Sequence, residues 1–426
     1  MQQVASQNAP SPNIVISHFV AGGMVWLMIT ALITLFPEAL TKHYFNPKLL
    51  AIAHLLVLGW ISMIIFGALY QLIPVIMEVK LYSEKLAVST FILLLTGAIM
   101  LAVSFWNFWL GTFMHLSAIL ILAAITIFAY NIFLTAKHAT KKSIENDFIQ
   151  TSVIWLLFTV VVGIALAINL RYPFIPVSHL ELLKLHAHAG IVGWFIQLII
   201  GVGSKLIPMF MVAHNLNSTK LSICFYLINL GLVSGIMALY FSWNVGVGIA
   251  IVTVILGLSF FLSFLLEAYK KRVKKHLDIG MKKSVLAFIV LAFAIVVILS
   301  ISVNIEKIKS FSIPMATAYG SILLVGFISA LIMGQTYKTL PFIVWLKVYR
   351  KKVGKIKIPF PKELYSEKVA LAQFWLFISG LTILVCGIVL QNNTTVSIGG
   401  TALFLSVILY NFNILKIIFH KPKIND

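Results

Sequence analysis

Two histidines, His186 and His188, stand one residue apart inside the strongly apolar stretch "LKLHAHAGIVGWFIQLIIGVGSKLIPMF", residues 183–210. An imidazole inside a membrane-spanning helix is costly unless it faces the bundle interior, where such groups usually have a function. Neutral imidazoles ligate heme iron and soft metals. At about 100° per residue, the two rings leave a helix on nearly opposite faces. They therefore need two different polar partners.

The composition places these histidines in a membrane protein. Of the 426 residues, 61% are apolar and 10% are charged, and the mean hydropathy is +1.03, which is outside the range of globular proteins. Apolar runs of roughly 20 residues between polar turns predict an all-α polytopic protein with twelve spans. The spans are predicted to start near Ile14, Leu49, Leu86, Trp109, Ile149, Leu182, Leu221, Val245, Ser284, Ile313, Val369 and Ser397.

The basic residues predict the topology. With alternating loops, 26 of the 32 lysines and arginines fall on the side that holds both termini. The positive-inside rule then predicts cytoplasmic termini in a bacterial-type inner membrane. A net charge of +20 could also indicate nucleic-acid binding, but the basic blocks 270–283 and 347–368 are predicted cytoplasmic loops, which anionic headgroups retain. We expect the lipid bilayer as a partner and no nucleic acid.

The segment around His188 has two relatives in the chain. They are the second span, "AHLLVLGWISMIIFGALYQLIP", and the tenth, "GSILLVGFISALIMGQTYKTLP", with His54, His188 and Ser321 as position zero. Each of the three then has glycine at +5 and +13, tryptophan or phenylalanine at +6, and proline at +20. Glycines eight residues apart share a helix face and permit close approach.

The spacing of the repeat predicts the architecture. The residues at position zero are 134 and 133 residues apart along the chain, and each interval contains four predicted spans. We therefore expect a single membrane domain, 1–426, built from three pseudo-symmetric four-helix units, roughly 14–134, 149–268 and 284–418. The second, sixth and tenth spans would line its centre. His54 and His188 would lie at matched depth near the outer face, about 30 Å from the prolines.

The histidines admit two interpretations. Two neutral imidazoles at equal depth on equivalent spans suit a single heme iron ligated from opposite sides. Alternatively, each ring bonds only a neighbouring carbonyl or water. His186 favours ligation, because packing absorbs one buried polar residue more easily than two. His115, which begins the fourth span, could supplement a metal site, although a structural hydrogen bond is the commoner role, and His18 is expected at the cytoplasmic interface.

The stretch "HAHAGIVGW" resembles the HxHxGxxGW segment in the tenth helix of heme-copper oxidase subunit I, particularly of the C-type oxidases and nitric oxide reductases. It is also similar to the twelve-span heme- and copper-containing membrane proteins of the nitric oxide response. The resemblance implies that His54 and His188 ligate a low-spin b-type heme. It further implies that His186 holds a high-spin heme.

The chain departs from this pattern in several places. The histidine pair stands in the sixth span, whereas the tenth offers Tyr319 and Ser321, and the seventh has no adjacent histidine pair for copper. All twelve carboxylates are predicted in loops or near helix ends. A proton-pumping, oxygen-reducing centre is therefore not expected, and copper lacks a full ligand set. Cys224 and Cys386 are too isolated for a c-type heme site.

The sequence thus predicts a divergent member of this superfamily that binds one b-type heme, or two, near the outer face. Its role would be electron transfer, or the binding or reduction of nitric oxide or oxygen, with electrons from a donor protein or a quinol. Further subunits could join it. The alternative is non-catalytic handling of heme or copper, or protection against nitric oxide. A transporter is the weakest alternative, since no span shows paired charges.

Overall fold

The computed structural model describes residues 9–139, 142–304, 312–353 and 358–422. Twelve helices in these ranges are long and apolar enough to cross a membrane, and each begins within five residues of its predicted start. The predicted number and positions of these long apolar helices are therefore confirmed. They are α1 (Pro12–Leu35), α2 (Pro47–Ile76), α3 (Glu84–Trp106), α4 (Thr112–Lys137), α5 (Ile144–Arg171), α6 (His179–Met211), α7 (Thr219–Tyr240), α8 (Asn244–Lys270), α9 (Ile279–Ile301), α10 (Ile313–Lys352), α11 (Glu367–Val389) and α12 (Asn393–Ile418).

The helices form two compact units. Unit 1 comprises Met1–Leu72, Leu94–Trp109 and Asp278–Asp426, and unit 2 comprises Ile73–Leu93 and Leu110–Leu277. Unit 1 thus contains α1, most of α2, the second half of α3, and α9 to α12, while unit 2 contains α4 to α8. The prediction of cytoplasmic termini concerns residues 1–8 and 423–426, which lie outside the described ranges.

Polar caps set the start of several helices. The Asn46 side chain accepts a hydrogen bond from the Leu49 backbone N–H at 2.9 Å, and Pro47 occupies the first helical position of α2. Asn392 accepts the corresponding bond at the start of α12. Such side chains accept hydrogen bonds from backbone N–H groups that have no partner within the helix. A proline at the first helical position removes no hydrogen bond from the helix, because that N–H would be unpaired. The cap at Asn46 fixes the start of the helix that carries His54.

A π-helical stretch interrupts three of the helices. The stretches are Leu55–Ser62 in α2, Ala189–Ile196 in α6 and Ile322–Ile328 in α10. Each begins one residue after position zero of the sequence repeat. The third stretch follows Ser321, not a histidine, so the widened turn belongs to the repeated segment itself. A histidine precedes the stretch in two of the three copies.

The repeated glycines at +5 pack each of these helices onto the helix before it. A Cβ at +5 would lie 2.7–2.9 Å from a side-chain carbon of the preceding helix, closer than real Cβ atoms approach. The pairs are Gly59 with Val25, Gly193 with Trp155, and Gly326 with Val290.

The glycines at +13 contact the same three helices, seven residues earlier in the chain. A Cβ there would lie 2.5–3.0 Å from the Cβ of the facing residue. The pairs are Gly67 with His18, Gly201 with Phe148, and Gly334 with Lys283. The predicted common face of the two glycines is therefore confirmed in all three helices.

Two basic residues are buried near the starts of their helices. Lys283, placed by the sequence in the loop 270–283, is the fifth residue of α9 and is 2% exposed, so that prediction was wrong. His18 is the seventh residue of α1 and is fully buried within the protein, and its predicted place at the membrane interface stays a prediction. In both cases the facing glycine at +13 leaves room for the base of the side chain between two closely packed helices.

Lys48 anchors the start of α2 to the segment before it. Its Nζ lies 2.7 Å from Oε1 of Glu38, 4.5 Å from the centre of the Phe36 ring and 5.5 Å from that of the Trp106 ring. The hydrogen bond from Lys48 lowers the pKa of the Glu38 carboxyl. Because this pKa is lower in the folded than in the unfolded protein, the pair stabilises the fold above the ordinary glutamate range. That contribution disappears as the pH falls through the lowered pKa.

We expect Glu38→Gln to lower the free energy of unfolding at neutral pH by at most about 1 kcal/mol, since the pair is partly exposed. The wild type and the variant should converge in stability as the pH falls through the lowered pKa, because the carboxyl then takes up a proton and loses its charge. Thermal unfolding in detergent at neutral pH and at a pH below that pKa measures the difference. A loss of equal size at both values would show that the charge of Glu38 is not its cause.

Candidate functional site

His54 stands at the junction between the first α-helical turns of α2 (Pro47–His54) and the π stretch. Its Nδ1 lies 2.7 Å from the backbone oxygen of Leu50. A carbonyl oxygen can only accept, so the neutral ring carries its proton on Nδ1 and its lone pair on Nε2. The half-buried ring stacks on Phe105 with centroids 4.8 Å apart. Both contacts fix the ring's orientation in unit 1.

His188 occupies the same junction in α6, at the end of the α-helical part His179–His188. Its Nδ1 lies 2.8 Å from the backbone oxygen of Lys184, so its lone pair is also on Nε2. The side chain is exposed, although the stretch that follows it is apolar and largely buried. His188 thus places an exposed imidazole at the edge of a buried segment.

His186 points towards α5. Its Nδ1 lies 3.0 Å from the backbone oxygen of Thr159. The ring covers Gly163, where a Cβ would lie 2.8 Å from the ring's Cε1. His186 thus bonds a carbonyl of another helix, whereas His188 bonds one of its own. The prediction that the two rings leave the helix towards different surroundings is confirmed.

The three rings have the proton distribution that ligation through Nε2 requires. A metal-bound histidine almost always donates its other ring N–H to a carbonyl, a carboxylate or water, which fixes the tautomer. His54, His186 and His188 all meet this condition. His18 and His138 also bond a carbonyl four residues earlier, so the bond orients a ring without by itself identifying a ligand. The protein's own side chains therefore fit a heme ligand set of one or two imidazoles.

His115 lies near the start of α4 in unit 2. Its ring is 6.4 Å from that of Tyr172, and its Nε2 is buried and has no hydrogen-bond partner in the described structure. No group of three or more histidine, cysteine, aspartate or glutamate residues within the described ranges could hold a metal ion. The described residues therefore do not join His115 to a metal-binding cluster.

A second polar cluster in unit 1 was missed by the sequence reasoning. Lys283 donates a hydrogen bond to Oε1 of Gln373, and its Nζ lies 4.5 Å from the centre of the Tyr337 ring. Lys283 corresponds to His18 only through the contact that each makes with a +13 glycine. Relative to position zero the two residues stand at −38 and −36, so the sequence repeat alone does not align them.

Helix count, length and apolarity define the protein as a helical protein with twelve candidate membrane spans. No protein-family model matches the chain. An uncharacterized protein from Aquifex aeolicus (strain VF5) is similar to it, with 30% identity over 166 residues. The match covers 39% of this chain and 38% of that protein, so the chain spans well under half of its relative's length.

Proposed function

We propose that this protein is a membrane heme protein in which His54, His188 and His186 ligate b-type heme. One observation carries the proposal. Two of the three π junctions begin with a histidine whose Nδ1 bonds a carbonyl one turn earlier, and the third begins with a serine. Polar, oriented rings at repeated positions of strongly apolar helices support a ligand-binding role.

The proposal includes three equivalent four-helix units with both termini in the cytoplasm, in a bacterial-type inner membrane. The glycine contacts of α1 with α2, α5 with α6 and α9 with α10 support the repetition. The distribution of 26 of 32 basic residues supports the orientation. In this arrangement the histidine junctions lie near the outer face.

Heme, when bound, supplies one-electron transfer if both axial positions are filled, or a position for nitric oxide or oxygen if one is open. The chain's own contribution is orientation. The carbonyls of Leu50, Lys184 and Thr159 hold the three rings in the ligating tautomer. Phe105 adds an apolar wall beside the His54 ring. Electrons would come from a donor protein or a quinol.

The proposal is tested on protein purified from heme-replete cells. We expect sharp Soret and alpha bands in the reduced spectrum, and a pyridine hemochrome of b type with at least one heme per chain. Carbon monoxide should shift the bands of any heme whose sixth position is open. Metal analysis of the same sample measures iron and copper together. A folded but colourless preparation would refute the proposal.

A further inference from the structure

Lys283 is buried in α9 without a carboxylate partner. The described structure contains five lysine–carboxylate pairs, and none includes it. Asp278, just before α9, lies 2.5 Å from Nζ of Lys338, so it is already engaged by another cation. A lysine that enters the interior of a helix bundle without a counter-charge is unusual.

Three helices hold the Lys283 amine in place. Gln373 of α11 accepts its hydrogen bond, while the Gln373 Nε2 donates to Oγ of Ser406 in α12 at 3.0 Å. The bond to Ser406 fixes which end of the amide faces the lysine. The Tyr337 ring of α10 presents its face to the amine, and its hydroxyl accepts from Nδ2 of Asn413 at 3.3 Å.

This environment contains opposing influences on the amine. A carbonyl oxygen and an aromatic face both favour the ammonium form. Removal from water, without a carboxylate, favours the neutral form. Within the described structure, neither influence is backed by an ion pair.

The same arrangement occurs at the equivalent place in α1. His18 faces the +13 glycine of α2, as Lys283 faces that of α10. Its ring lies edge-on to Tyr70, with centroids 5.6 Å apart, and Tyr70 and Tyr337 both stand at +16 of the repeat. Unit 1 thus contains two buried pairs of a base and a tyrosine.

The packing limits what such a site can bind. Next to Lys283, a Cβ on Gly334 would lie 2.7 Å from the Gly280 backbone oxygen, and one on Gly280 would lie 2.8 Å from that of Gly334. Two backbones this close leave no room for an anion of several atoms. A proton is the ligand that requires no cavity.

We propose that Lys283 is a proton-binding site in the interior of unit 1, four residues from the end of α9 predicted to be cytoplasmic, and that His18 is its counterpart in α1. The neutral amine takes one proton from water at that end and becomes an ammonium, which Gln373 and the Tyr337 ring stabilise. The site can thus add one positive charge to the bundle interior. The surrounding helices also carry other charged or titratable residues, and Asp278 and Tyr365 stand just before α9 and α11. Those within the helices are Lys282, Tyr319, Lys338, Lys347, Tyr349, Arg350, Lys351, Lys352, Glu367, Lys368, Cys386, Tyr410 and Lys416.

Solid-state NMR of protein with ¹⁵N-labelled lysine side chains, in lipid bilayers, tests this proposal. An ordinary lysine remains an ammonium up to about pH 10. We expect one additional resonance that changes from ammonium to neutral amine between about pH 5 and pH 9 and that is missing from Lys283→Met. The proposal is overturned if every lysine resonance stays that of an ammonium throughout this range, or if the titrating resonance survives in Lys283→Met.

Lys205→Met is the matched control, because Lys205 is an exposed lysine of α6. It should leave the titrating resonance in place. If Lys283→Met does not fold, Gln373→Leu provides the second variant, and it should shift the pH at which the wild-type resonance titrates. The experiment needs no heme, so a colourless protein would refute the heme proposal and leave this test intact.

Discussion

Replacement of His54 or His188 by leucine is expected to abolish the Soret and alpha bands of the heme that these two rings are proposed to ligate. Each change removes the Nε2 lone pair that we assign to iron, while leucine keeps an apolar side chain in its place. In His54→Leu, contact with Phe105 is retained, so the helix should remain packed. The reduced absorption spectrum per mole of chain measures the loss, and thermal unfolding shows that the variant is folded.

His138→Leu is the control for these variants. Its Nδ1 also bonds a carbonyl four residues earlier, that of Leu134 at 2.8 Å, but the residue is exposed at the end of α4. Its spectrum should match that of the wild type. His186→Leu should remove only the bands that respond to carbon monoxide. If both His54→Leu and His188→Leu retain wild-type bands, these rings do not ligate heme.

The second large effect, a loss of stability, is expected for Gly334→Val, at a close contact between α9 and α10. A Cβ there would lie 2.7 Å from the Gly280 backbone oxygen and 3.0 Å from the Lys283 Cβ. A backbone oxygen in a helix cannot turn aside, so the two helices must separate. We expect a loss of about 1–3 kcal/mol or more in the free energy of unfolding, measured by thermal or denaturant unfolding in detergent.

Gly320→Ala is the matched control in the same helix. No atom lies within 4 Å of a Cβ built at Gly320. Alanine also favours a helix over glycine by roughly 0.5–1 kcal/mol. This variant should therefore be as stable as the wild type or slightly more stable. Equal effects of the two substitutions would mean that the contact between α9 and α10 does not determine the stability.

The sequence predicted the twelve helices because length and apolarity alone decide whether a segment can span a bilayer. It also predicted the common face of the +5 and +13 glycines, since eight residues return to nearly the same side of a helix. It did not predict the π stretches. No residue type specifies them, and they are visible only in the backbone hydrogen bonds of Leu55–Ser62 and its two equivalents.

The candidate site was likewise only partly predictable from the sequence. The pattern of residues singled out His54, His186 and His188, but the partner of His186 is a carbonyl on α5, twenty-seven residues earlier in the chain. Such a contact depends on how two helices pack and is absent from local sequence. Lys283 was misplaced for a related reason, because only its facing glycine, Gly334, shows that the helix contact has room for it.

The shared offset of the three π stretches has a consequence for the history of the chain. A π turn holds one more residue than an α turn, as a single-residue insertion into an α-helix would produce. Three independent insertions at one offset are improbable, whereas one insertion in a small ancestor, copied twice, explains all three. The widened turn would then have arisen before the duplications that gave the protein its present length. The histidines and Ser321 at its edge record how the copies later diverged.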